Sequence, residues 1–161
     1  MEDNFLGKIN VGTSKYSYDL TFGFKKNCNA DIYKKEFDKY APPTPPFNFF
    51  DSAIAINGER YYSKILNNND NVFEYSIFIQ FGDNKKINLK WNNLNWDKCL
   101  ESCILCDAHD GKLGIYIDML SVNKLEITNN LLNVLRLKFL KKSKDIKQIQ
   151  NENKDKSTLY I

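Results

Sequence analysis

Histidine is nearly missing from this chain: His109 is the only imidazole among 161 residues. That scarcity removes most metal sites built from several imidazoles and most nucleophile–base devices. Arginine is almost as rare, with Arg60 and Arg136 standing beside abundant lysine and asparagine, a composition that fits AT-rich coding. Seven glycines are scattered, and they form no phosphate-cradling Gly-rich loop, no Gly-x-Gly-x-x-Gly and no His-Glu-x-x-His neighbourhood. No apolar run approaches the roughly 18 residues of a membrane span. The start, Met1-Glu2-Asp3-Asn4, lacks the basic and apolar regions of a secretory signal, so no signal peptide is expected. A reducing compartment then makes the four cysteines thiols rather than disulfides.

A basic excess on the fold is lacking too. The formal charge of +3 resides in residues 141–161, while residues 1–140 carry 17 basic and 17 acidic side chains. A formally neutral body argues against specific nucleic-acid binding.

What the chain does have is alternation. In Val72–Phe81, residues Phe73, Tyr75, Ile77, Ile79 and Phe81 share one face, with Glu74, Ser76 and Gln80 opposite. Ile87, Leu89 and Trp91 repeat the pattern after Gly82-Asp83-Asn84, which reads as a hairpin. Further strands are expected at 16–22, with Tyr16 and Tyr18 pointing the same way, and at 49–56, 60–66, 100–106, 113–117, 124–128 and 133–140. Residues 32–40 read as a loop or single helical turn. These signals imply an all-β domain over 1–140, an immunoglobulin-like β-sandwich of about seven to nine antiparallel strands. A charged, flexible tail is expected over 141–161.

All four prolines fall in Ala41-Pro-Pro-Thr-Pro-Pro46. Proline fixes φ and cannot donate to a ladder, so this stretch reads as an extended crossover between sheets. Tyr40, Phe47, Phe49 and Phe50 would pin it to the domain.

Few residues offer chemistry. Cys99, Cys103 and Cys106 have the C-x3-C-x2-C spacing of radical-SAM iron–sulfur enzymes, but a strand there turns Cys103 and Cys106 to opposite faces. A zinc site from Cys28, Cys103, Cys106 and either Cys99 or His109 is chemically better, and buried thiols are the simpler expectation. His109 sits in the turn Asp107-Ala-His-Asp-Gly111, where exposure is the default. Asp31, Glu36 and Asp38 are a weak calcium candidate without EF-hand spacing. No cofactor is expected, and no enzyme.

Six segments in order carry a likeness: Leu20-Thr-Phe-Gly-Phe24, Asp38–Pro46, Phe50-Asp-Ser-Ala53, Arg60–Ile65, Ile87–Leu94 and Gly111–Ser121. Together they resemble an immunoglobulin-like β-sandwich module of bacterial surface and secreted proteins, often next to type IX secretion sorting domains. The chain departs from that pattern at Asn29–Ile32 and at Asn95-Trp96. The resemblance implies a sandwich with a binding or scaffolding role and no catalytic residues.

The leading expectation is therefore a non-enzymatic structural protein in the virion or cytoplasm. It would decorate or build an assembly, such as a capsid, through sheet edges and a C-terminal arm tipped by Thr158, Leu159, Tyr160 and Ile161. Its partners would be proteins of a larger assembly, or copies of itself. The alternative is a carbohydrate- or protein-binding module using Trp96, the aromatic best placed for the surface, together with Trp91, Tyr61 and Tyr62.

Overall fold

A computed structural model describes residues 3–143. It is all-β, as the alternation implies. The strands are β1 (Phe5–Gly12), β2 (Ser17–Lys25), β3 (Lys39–Tyr40), β4 (Asp51–Ile56), β5 (Glu59–Asn67), β6 (Val72–Gln80), β7 (Ile87–Trp91), β8 (Leu100–Asp107), β9 (Tyr116–Asp118), β10 (Lys124–Ile127) and β11 (Val134–Lys141). A single 3-10 turn, Trp96–Lys98, is the one helical element among the described residues, and no helix there is long and apolar enough to cross a membrane.

The expected count of seven to nine strands is too low, and the pairing is not purely antiparallel. Ten strands follow one hydrogen-bonded path, β10-β7-β1-β2-β5-β4-β6-β11-β8-β9, with β3 added to β5. Within that path β2 and β5 run parallel. The result is one curled mixed sheet, sandwich-like because its two halves face each other. Phe5, Phe22 and Phe24 from one half meet Phe73, Tyr75 and Phe139 from the other. Phe139 stacks at 4.9 Å on Phe73 and 5.8 Å on Tyr75, and meets Phe22 edge-on at 5.3 Å. The Tyr75 hydroxyl, buried among these rings, donates to the Lys64 carbonyl at 2.5 Å and so ties β6 to β5.

The expected β6–β7 hairpin does not form. β6 pairs with β4 and β11, whereas β7 pairs with β1 and β10. Alternation settles which face of a strand is buried; it leaves the hydrogen-bonding partner open. Residues 81–86 instead carry the chain from one half of the sheet to the other.

The sheet curls until its terminal strands are consecutive in sequence. Residues 119–123 bridge β9 to β10, and Trp91 Nε1 donates to the carbonyls of Met119 (3.0 Å) and Val122 (2.8 Å). Asn93 Nδ2 reaches the carbonyls of Met119, Leu120 and Val122. Two side chains thus hold this connection, and Trp91 is buried as its alternation implies.

The 113–117 strand starts later than expected because Asp107 organises what precedes it. Its buried carboxylate accepts the N–H groups of His109 (2.9 Å), Gly111 (3.0 Å), Leu113 (3.0 Å) and Ile115 (3.1 Å). Burial pushes this carboxyl up, yet the four amides together hold it below its ordinary value. Wrapping the loop round one carboxylate delays pairing until Tyr116.

Candidate functional site

A concavity lies where the β1–β2 turn, the proline segment and the β6–β7 connection converge. It measures about 400 Å³ and is lined by Thr13, Lys15, Tyr16, Tyr18, Pro45, Asn48, Phe49, Phe50, Asp83 and Asn84. Each wall is fixed by local chemistry. Thr13 Oγ1 accepts the N–H groups of Lys15 (3.2 Å) and Tyr16 (3.1 Å), and the Thr13 N–H returns to the Tyr16 carbonyl at 2.8 Å. This tight turn throws Tyr16 outward, leaving it 70% exposed rather than inward with Tyr18.

The proline wall is held from behind. Gln80 Nε2 donates towards the carbonyls of Pro45 (3.3 Å), Pro46 (3.0 Å) and Phe49 (2.9 Å). Arg60 Nε donates to the Pro42 carbonyl at 3.0 Å, while its Nη2 pairs with Asp51 at 2.6 Å. With carbonyls captured and φ locked by proline, the segment is rigid. Gly82 lets the 81–86 connection approach the Phe49 backbone: its φ is +61°, and a Cβ there would stand 2.6 Å from the Phe49 carbonyl carbon. Asn84 closes the turn by donating from Nδ2 to the Phe81 carbonyl at 2.9 Å.

Rigid backbone does not tuck every ring inward. Phe50 is buried and packs on Tyr18 at 5.3 Å, and Tyr18 stacks on Tyr62 at 5.5 Å. Phe47 and Phe49 were expected to pin the segment, but they are 85% and 56% exposed. Tyr40 does pin its end, stacked between Tyr33 and Tyr61. The Tyr18 hydroxyl is raised above its ordinary value by burial and by Asp51, with Arg60 opposing, so it stays protonated at neutral pH. The groove therefore offers apolar rings, two amides, one carboxylate and one ammonium, and no nucleophile–base pair.

The residues singled out in the sequence are dispersed. Trp96 is not at the surface: it is 6% exposed and meets Phe5 and Phe22 edge-on at 5.5 and 5.7 Å. Its position in a 3-10 turn after Asn95, at φ +66°, folds the ring back under the sheet. Tyr61 is buried, and Tyr62 is half-buried against Tyr18.

Cys28, Cys103, Cys106 and His109 are not brought together, and no metal-holding group of three or more His, Cys, Asp or Glu exists among the described residues. Cys103 shares the core-facing register with Phe139, whereas Cys106 pairs with Arg136 on the other face. The Cys103 thiol lies 3.7 Å from the Met119 sulfur, and burial raises it to about 12. His109 is exposed.

The calcium candidate is also dismantled. Asp38 is buried against Lys64, and Asp31 accepts from Asn57 Nδ2 at 2.8 Å. Thr158, Leu159, Tyr160 and Ile161 lie outside the described residues.

No family model matches the chain, and neither a curated protein nor a solved structure matches it.

Proposed function

We propose that this protein is a non-enzymatic assembly module that binds a protein partner through the aromatic groove. The observation carrying this reading is the exposure of Tyr16 and Phe49, both in the groove lining, on backbone that hydrogen bonds and prolines hold rigid. Exposed rings in a fixed frame suit a partner's apolar side chains, since little ordering entropy is lost on contact. A central aromatic anchor contributes about 2 kcal/mol, roughly 30-fold in affinity. The sheet edges favour the groove over strand addition, for β9 and β10 are only three and four residues long and are tied together by Trp91 and Asn93. The resemblance to a bacterial surface module agrees with a scaffolding role.

Lys15, in the groove lining, supplies a direct test. Amine-reactive crosslinking of the full chain in extract from its source should join Lys15 to one recurrent protein, and Tyr16→Ser/Phe49→Ser should abolish that product. Crosslinks confined to Lys8 and Lys90 would move the interface to the outer sheet face. Glycan binding that fails in the same double variant would replace a protein partner with a carbohydrate one.

A further inference from the structure

Lys64 and Asp38 are both fully buried, with Lys64 Nζ 2.9 Å from Asp38 Oδ2. The surroundings of this pair are specific. Asp38 Oδ2 also accepts the Lys34 N–H at 2.8 Å, and Oδ1 accepts the Ile65 N–H at 3.1 Å. Nζ donates to the Ile32 carbonyl at 3.1 Å and lies 5.1 Å from the centre of the Tyr61 ring. An amine and a carboxyl are therefore held in contact where solvent does not reach either side chain.

We propose that these two side chains condense into an isopeptide bond, making this a covalent crosslink site between the 27–38 loop and β5. The steps balance without any further reagent. The ammonium passes one proton along the hydrogen bond to Oδ2, giving a neutral amine and a neutral acid, which relieves the cost of two buried charges. The amine then swings from the edge of the carboxyl to its face, and its lone pair forms the Nζ–Cγ bond. Negative charge develops on Oδ1, where the Ile65 N–H already points and stabilises it. The nitrogen, now positive, gives a second proton to the Oδ2 hydroxyl. The Cγ–Oδ2 bond breaks and Oδ2 leaves as water.

One N–H remains on the amide nitrogen, and the Ile32 carbonyl stands ready to accept it. The Lys34 N–H, released from Oδ2, belongs to a half-buried residue. Holding both reactants in contact replaces a bimolecular encounter with an internal one, the chief requirement for an otherwise sluggish condensation.

Intact-mass measurement on the purified full chain, incubated until its mass stops changing, tests the proposal. The expected mass is one water below the sequence mass, with tandem fragmentation giving a branched peptide that joins Lys64 to Asp38. Lys64→Arg keeps a cation beside Asp38 but removes the nucleophilic amine, so this variant should show the full sequence mass; so should Asp38→Ala. A wild-type chain at full sequence mass overturns the proposal. So does a water loss that persists in Lys64→Arg, because that loss would belong to a backbone imide at Asp110-Gly111. If either variant fails to fold, the branched wild-type peptide decides alone, by its presence or absence.

Discussion

Replacing Phe139 by alanine probes the contact between the two halves of the curled sheet. The ring lies 4.9 Å from Phe73, 5.3 Å from Phe22, 5.8 Å from Tyr75, 6.2 Å from Phe5 and 6.4 Å from Phe24. Those neighbours come from β1, β2 and β6, so the ring has no single partner that could collapse into its space. A buried Phe→Ala change costs about 3–5 kcal/mol when the site cannot relax, and five rings fixed on three strands place this site near the upper figure. For a domain of this length each kcal/mol lowers Tm by roughly 2–4 °C, so a fall of about 10–15 °C is expected. Urea titration should move the midpoint down by about 2 M at unchanged slope. Phe139→Leu keeps most of the volume and should cost less than about 1.5 kcal/mol. Phe49→Ala, at an exposed ring, should stay within about 0.5 kcal/mol of wild type. A Phe139→Ala cost below about 1 kcal/mol would refute the face-to-face packing.

Other expectations follow from single contacts. Relative to wild-type chain that has not yet condensed, Asp38→Ala should destabilise by about 3–5 kcal/mol, because Lys64 is left charged and buried, whereas Asp38→Leu/Lys64→Met should recover part of that loss; a double variant weaker than the single one would contradict this. The Asp107 carboxyl is held low in the folded state, so its stabilisation is complete above the ordinary carboxylate range and disappears as pH falls below about 4. Asp107→Asn should flatten the acid limb of the stability curve, and identical limbs would refute the role assigned to the four amides. A thiol reagent at mild alkaline pH should modify half-buried Cys99 first and leave Cys103 untouched until unfolding, Cys103 being buried and raised to about 12; early Cys103 labelling would mean that the core opens.

Period-two alternation made most strands legible in the sequence, because a half-buried strand must show it. β1 obeys the same rule, with Phe5, Ile9 and Val11 inward, but Gly7 and Gly12 interrupt the apolar signal. Gly7 is there because a Cβ would stand 2.7 Å from the Phe22 ring, which sequence alone does not reveal. Pairing was illegible for a different reason: β6 and β7 carry identical patterns whether they pair with each other or lie in opposite halves. The groove was partly legible. The prolines and their neighbouring aromatics stand out, but the alternation that placed Tyr16 inward ends one residue too early, at the Thr13 turn. Trp96 misled because a residue after a strand usually lies at the surface, whereas the left-handed Asn95 reverses its direction. The buried Asp38–Lys64 pair had no sequence signature at all, since its members are 26 residues apart and no spacing links them.

Whether the groove is the interface is read from the partner affinity of two matched variants. Tyr16→Ser/Phe49→Ser strips the groove, while Leu94→Ser/Leu131→Ser strips two still more exposed apolar side chains outside it. Against the protein captured at Lys15, the groove variant should lose about a thousandfold in affinity and the other less than about threefold. Equal affinities, or the larger loss in the Leu94/Leu131 variant, would contradict a groove interface.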